Sequence, residues 1–519
     1  CTAAAIFESA KEMCLTAQWK LWRSSRAMRQ PYEGMWREYQ NAWEGALALA
    51  DTGEVPTHYF NQVWKLTEQV VSRLTEQIPD WTVLPRERSD EELAAVLELA
   101  LEWSMRNIGI AAPLQEGIRS GEILGTGIWK TPWNPDQQNG RGNNEVYACD
   151  IYRLYPDLAK TRLDEMSYFF QEYFLETGYI KRRWGVDVDA TTALSDLEVD
   201  GGLVATANRD TVFGRASVPA VQGVTGTPEG NVVTGRVRVL ECWVRDFVMQ
   251  STGIAEPVSR RDKAKHPDWY LVYTIEGQLL PHLDDEGTVQ ESLVRTPYRK
   301  PPYSVYTPMT RETQFYGVSP LHPLLDPQRD YNEGREQLRE HRRRHTQPRT
   351  TLDPRYPISP NDWNNRDFPL QVPPGSMQYL LPPPLGREVI EALLMAAGDM
   401  EDISGIHDVA RGQRVPQLTA GVAIEALQQK AETRVNARLP LLADTYREMA
   451  KHLLYNFVVH AGIAGLMRLA GQSDPDLTAI PFDELVNSAG DVLDFDVDVV
   501  VGTSASARVQ NETNAVLLA

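Results

Sequence analysis

The chain has 519 residues and a formal net charge of −19, with 52 Lys and Arg against 71 Asp and Glu. That length supports two or more core-forming units, and ordinary charged and aromatic fractions exclude a disordered chain. The acidic balance argues against a general nucleic-acid coat, which would be basic. Cys1, Cys14, Cys149 and Cys242 are scattered without CxxC spacing, so neither a disulfide framework nor a zinc site is expected.

In chain order, Ala3 to Ala50 reads as helix, with Trp19, Trp22, Trp36 and Trp43 expected to pack against other elements. No secretory signal is visible, because the apolar run Ala3 to Ile6 is too short. After a break at Asp51–Gly53, Val63, Leu66, Val70 and Leu74 form one stripe of an amphipathic helix that Pro79 ends. A short strand follows at Trp81 to Pro85, and Ser89 is the expected cap of an acidic-started helix running to Gly109. Gly125, Gly127 and Lys130 loosely resemble a phosphate loop, yet the spacing G-x-x-x-x-G-K-[ST] is absent, so a helix passing into a strand is the preferred reading.

From Val146 to about Thr310 the text turns β-rich, interrupted between Gly201 and Gly235 by long surface loops or a hairpin arm. His282, Asp284, Asp285 and Glu286 have metal-ligand chemistry, but no second ligand group of matching spacing appears and an acidic turn is expected.

From Tyr316 to Arg438 the pattern is helix, proline-rich interruption, helix, Gly-containing link and long helix. Ser319 is a candidate N-cap and Pro320 a first-turn residue. Thr346 to Pro384 holds too many prolines for a helix, and its runs Phe368 to Val372 and Met377 to Leu381 read as edge strands or extended arms. Val389, Leu393 and Ala396 then share a helical stripe that Gly405 stops. The last long helix, Ala423 to about Ala470, is expected to kink at Pro440. Its Leu453 to Ala470 segment contains Asn456, His460 and Arg468 and reads as buried helix, not a membrane span. A strand at Leu493 to Thr503 follows. Because the chain begins without Met and stops inside an expected helix, truncation at both ends is expected.

Three elements in this order resemble the portal (head-to-tail connector) proteins of tailed bacteriophages. They are Gly317 to Leu321 followed by Asp326, Gln328 and Asn332; Ser404 to Gly412; and Thr419 to Ala431 ending in Arg434 and Arg438. No single element is a strict signature, but the resemblance extends over most of the chain.

The resemblance implies an α+β, mainly helical fold with a β-rich wing, assembled as a ring of twelve subunits. On that template residues 1–316 are the wing, 317–346 the first stem helix, 347–384 the clip and 385–403 the second stem helix. Residues 404–421 are the tunnel loop, 422–476 the tunnel helix and return to the wing, and 477–519 a wing strand and the start of a crown.

The implied role is a channel for double-stranded DNA at one capsid vertex, read without sequence specificity. Partners would be terminase, the major capsid protein and adaptor or tail proteins, with assembly in the host cytoplasm and no membrane. The alternative is another ring-forming virion protein such as a head-completion adaptor, which is generally much shorter. No cofactor, metal or catalytic constellation is expected, and the chain reads as a non-enzyme.

Two basic groups stand out. Arg335, Arg339 and Arg343 fall at i, i+4 and i+8, widened by Arg342 and Arg344. They are either a collar for DNA phosphates or an acidic neighbour, or a solvated face partly neutralised by Glu336 and Glu340. In the tunnel loop, Arg411, Gln413 and Arg414, with Val415 beside them, are the residues the template turns toward DNA; an ordinary interhelical loop is the other reading.

Overall fold

The computed structural model describes residues 3–48, 59–76, 79–84, 91–135, 142–188, 236–245, 269–275, 278–283, 289–290, 294–296, 300–359, 373–380, 386–405, 435–461 and 496–500, with a few isolated positions besides. Outside the described residues lie the Asp51–Gly53 break, Ser89, the Gly201–Gly235 stretch and Asp284 to Glu286.

In chain order come α1 (Ala3–Glu44), α2 (Gln62–Leu74), β1 (Asp80–Leu84), α3 (Glu91–Ile108), α4 (Ala111–Leu124), β2 (Gly127–Lys130) and β3 (Tyr147–Ala148). There follow β4 (Leu154–Pro156), β5 (Tyr168–Glu176), α5 (Thr177–Trp184), β6 (Arg236–Arg245), β7 (Trp269–Ile275), β8 (Gln278–Leu279), β9 (Val294–Arg295) and β10 (Tyr303–Tyr306). Further along come α6 (Leu325–Thr346), β11 (Arg349–Leu352), β12 (Met377–Leu380), α7 (Arg387–Ser404), α8 (Leu439–Asn456) and β13 (Asp496–Val500), and two-residue strands pair Trp133–Asn134 with Asn143–Asn144 and His282–Leu283 with Val289–Gln290. Helices and mainly antiparallel sheets alternate in blocks, which is an α+β architecture.

The largest sheet runs β8-β7-β6-β5-β4, with β9 also pairing with β7. Its central ladder pairs β5 with β6 over nine residues, from Tyr168 opposite Val244 to Glu176 opposite Arg236. Successive side chains point to opposite faces of a strand, and here the two faces have different partners. Tyr168, Phe170, Leu240, Cys242 and Val244 cluster with Trp22 of α1. Phe169, Gln171, Glu241 and Trp243 face the three-stranded sheet β10-β2-β3, where Phe169 lies 4.5 Å from Tyr303 ring to ring. The sheet is covered on both sides, which is why β5 begins with a fully buried run.

Between the two sheets lies a buried ion pair. Lys130 Nζ donates to both oxygens of Glu241, at 2.5 and 2.6 Å, and to Tyr173 Oη at 2.9 Å. Trp243 Nε1 donates to Glu241 at 2.7 Å, and Tyr303 Oη donates to Gln171 Oε1 at 2.7 Å. Burial pushes the adjoining Cys149 thiol up to about 12 and raises the Tyr303 and Tyr173 hydroxyls well above their usual range. These groups act as hydrogen-bonding partners, not as proton donors to solvent.

Gly125 and Gly127 owe their identity to close backbone approach. Gly125 has φ 85°, and a Cβ there would lie 2.7 to 2.8 Å from the backbone of Gly317 to Ser319. At Gly127 a Cβ would sit 2.2 Å from Gly117 O on α4. The third member of the loosely phosphate-loop-like set, Lys130, is the partner of Glu241.

Helix α8 fills the core with Leu442, Tyr446, Met449 and Leu453, and runs on into a π-helical segment, Phe457–Ala461. Its start differs from expectation. Residues 437–438 form a turn and Pro440 sits in the first turn of a new helix, so the chain is broken there rather than kinked mid-helix. Proline fits a first turn because its missing N–H would have had no helical partner. The far strand β13 pairs with β1, Trp81 opposite Val499, returning the C-terminal part to the N-terminal helices.

His452 on α8 is buried, and desolvation, aided by Lys300, holds its imidazole well below the ordinary 6.5. Below about pH 6.5 the unfolded chain binds a proton that the folded chain refuses. Stability is therefore full above that pH and falls as pH drops toward the folded pKa, by at most about 1.4 kcal/mol per pH unit. Denaturation curves taken downward from about pH 7.5 are expected to show this loss, and His452→Leu to remove the His452 share of it.

Candidate functional site: the projecting helix pair

The joint from which the helix pair departs is built around Glu122. This α4 carboxylate is fully buried; Tyr306 Oη donates to it at 2.9 Å, and Arg438 Nη1 lies 2.9 Å away. Burial raises its pKa, opposed by Arg438 and by the Tyr306 hydrogen bond. Ser319 Oγ donates to the Glu122 carbonyl at 3.2 Å and accepts from Leu321 N at 3.1 Å. Thus α4, β10, the Gly317–Leu321 turn and the approach to α8 meet at one residue.

Ser319 is consequently a buried turn residue, not the cap of the long helix. Pro323 lies in a 3-10 turn, His322–Leu324, and α6 begins only at Leu325, with Pro327 in its first turn. Eight residues expected to be helical from 317 onward are spent on this joint. At about 1.5 Å per residue the 22 residues of α6 span about 33 Å.

The base of α6 is bonded to the body. Gln328 Oε1 accepts from Gln62 N and Val63 N at 3.0 and 3.1 Å, and Gln328 Nε2 donates to Phe60 O at 3.1 Å and Asn332 Oδ1 at 2.9 Å. A side chain from a distant helix thereby satisfies two of the N–H groups that the start of α2 leaves without intrahelical partners. Arg329 pairs with Glu38 of α1 and, at 2.7 Å, with Asp326.

Helix α7 runs back along α6. Leu393 packs on Gly334, where a Cβ would lie 3.3 Å from Leu393 Cδ1, and His341 Nε2 lies 2.8 Å from Pro383 O. Ala396 and Met400 are buried near the base, and Gly405 closes α7 in the left-handed conformation. The outward face is bare: Ile390, Leu394 and Met395 are 48%, 65% and 70% exposed. Leu338 and Leu393 are half-buried, and Trp363 and Phe368 lie outside the described residues. Between the helices, β11 pairs with β12, with Tyr379 and Leu380 exposed.

The basic residues of α6 do not form one uniform column. Arg335 donates to Tyr331 Oη at 2.6 Å and lies over the Phe60 ring at 5.0 Å. Arg339 lies 3.7 Å from Glu336 and Arg344 pairs with Glu340 at 2.9 Å. Arg342 and Arg343 are exposed near the helix end, where cations also complement the helix dipole. Arg411, Gln413, Arg414 and Val415 lie outside the described residues.

A family model for the phage P22-like portal protein matches residues 22–457. The chain belongs to that family. No curated protein matches it. The match takes in α1 from Trp22, both sheets, the projecting pair and α8, so the portal body and its projection belong to one family unit. As a portal the protein is a structural component of a bacteriophage. Among the described residues no three His, Cys, Asp or Glu side chains are grouped to hold a metal, and no helix is long and apolar enough to cross a membrane.

Sequence reading marked Gln328 and Asn332 but missed Glu122 and the Lys130–Glu241 pair. Lys130 and Glu241 lie 111 positions apart, and no local pattern announces such a contact.

Proposed function

We propose that this portal protein assembles as a closed ring, twelve copies on the family template, at one vertex of the capsid, and conducts double-stranded DNA during packaging and ejection. The observation that carries the reading is the helix pair: α6 and α7 rise from a bonded base and present an apolar face that their own subunit leaves uncovered. A cyclic neighbour would cover such a face. Residues 317–346 and 385–403 would be the stem, 347–384 the clip that meets terminase and adaptor proteins, and 1–316 the wing facing the capsid protein. Residues 422–476 would carry the tunnel helix back to the wing, and 477–519 a wing strand leading to a crown. Arg335, Arg339, Arg342, Arg343 and Arg344 would ring the stem near the clip. Energy for packaging would come from the terminase, not from this chain.

Arg411, Gln413, Arg414 and Val415 would line the narrowest part of the channel, where contacts to phosphates let a duplex pass without reading its sequence. In a packaging assay with terminase and capsid precursor, particles built without this protein should take up no DNA. Rings of the Arg411→Ala, Arg414→Ala variant should form normally, since exposed loop changes cost about 0.5 kcal/mol or less. They should package or retain less DNA, with the difference narrowing as salt rises. Equal packaging by this variant at low and high salt would remove the loop from the mechanism; packaging without the protein would remove the channel role altogether.

A further inference from the structure

The turn Arg311–Gln314 adopts a conformation that its sequence resists. Gln314 N donates to Arg311 O at 3.4 Å, and Thr313 has φ 64°, alone among the described non-glycine residues in having a positive φ. A β-branched residue is a genuine outlier there, and the third position of a turn with positive φ ordinarily takes Gly or Asn. Strain of this kind persists where the surroundings hold it, and it gathers at binding sites.

The strained turn borders a cleft of about 450 Å³ that reaches Lys300 and Glu448. An adjoining hollow of about 460 Å³ shares those two residues and continues along α8 past Leu441 and Thr445. Five cations line the two: Arg162, Lys300, Arg311, Arg447 and Lys451. Three carboxylates face them, each already held by one of these cations. Arg162 meets Asp164 at 3.1 Å, Lys300 meets Glu448 at 2.8 Å, and Arg447 meets Asp444 at 2.5 Å. Arg311 and Lys451, both exposed, leave the cleft positive on a chain whose net charge is −19.

The composition selects the occupant. The 39% exposed Leu441 beside these charges suits a polypeptide, which brings apolar side chains with its charges, better than a phosphate backbone. Copies of so acidic a chain also repel one another unless a contact region carries the opposite sign. We infer that this cleft receives an acidic segment of a neighbouring copy of the same chain. It is then one half of a head-to-tail contact, cleft on one copy and carboxylates on the next. The inference rests on the ring reading above, and Thr313 is the residue that fixes the cleft's rim.

The test uses rings assembled from equal amounts of ordinary and nitrogen-15-labelled protein, treated with a carbodiimide that joins a lysine to a carboxylate in direct contact. Isotopically mixed cross-links from Lys451 or Lys300 to Asp or Glu are expected. Arg311→Glu with Lys451→Glu should raise the concentration for half-assembly about tenfold, with an unchanged melting temperature of the subunit. Thr313→Gly should melt no lower than the parent yet assemble less well. Rings that lack mixed cross-links from these lysines, or a charge-reversed variant assembling at the parent's concentration, would overturn the inference while leaving the ring intact. Cross-links that appear only when capsid protein or terminase is added would overturn it in favour of another partner. A parent protein that forms no rings would sink the ring reading and this contact together.

Discussion

Lys130→Met is expected to lower the stability of the folded subunit by about 3–5 kcal/mol in chemical denaturation, the usual cost of leaving one member of a buried ion pair uncompensated. Lys130 and Glu241 are 5% and 3% exposed at the side chain, and the lysine donates to both carboxylate oxygens. Trp243 and Tyr173 would still donate to the stranded carboxylate, which favours the lower end of that range. Removing both charges tests the mechanism. Lys130→Met with Glu241→Leu takes away the stranded charge as well as the pair, and matched apolar replacements of buried pairs are often close to neutral. The double variant should therefore recover most of the loss. A single variant within about 1 kcal/mol of the parent would mean that water reaches the space between the two sheets.

Ile390→Glu, Leu394→Glu and Met395→Glu together are expected to abolish ring assembly while leaving the subunit folded. These residues are exposed in the isolated chain, so each change should alter subunit stability by only about 0.5 kcal/mol. Covering such a side chain in an interface is worth about 1.5–3 kcal/mol, and three of them together shift an assembly equilibrium by several orders of magnitude. Three added negative charges per copy, on a chain already at −19, act in the same direction. Sedimentation should show the variant as folded monomer at concentrations where the parent is assembled. A variant that assembles like the parent would mean that this face of α7 is not in the interface.

Much of the architecture could be read locally, because period and punctuation are local signals. The stripe Val63, Leu66, Val70 and Leu74 is buried in α2, and Gly405 ends α7 as a left-handed cap. The β-rich text from Val146 to Thr310 supplies the whole of the largest sheet, a short two-stranded sheet at His282–Leu283 and Val289–Gln290, and the two outer strands around Gly127–Lys130, its alternation decided by what each face meets. Errors fell where tertiary contacts override a local signal. Ser319 has the chemistry of a helix cap, but Glu122 O and the close approach at Gly125 claim it for a turn, and Pro323 delays the helix further. The helix formers around Pro440 suggest a kink in a continuous helix, but Arg438, drawn to Glu122, lies in the turn that restarts the helix. On α6, spacing alone offers Glu336 to Arg339 and Glu340 to Arg344, whereas the Phe60 ring beneath Arg335 is distant in sequence and has no local signal.

The most direct test of the portal assignment is electron imaging of the purified protein, paired with native mass measurement. Closed rings with a central hole wide enough for a DNA duplex, and a mass that is a whole multiple of the subunit, twelve on the family template, are the expected result. Compact monomers at micromolar concentration, or open filaments without a closed channel, would contradict it.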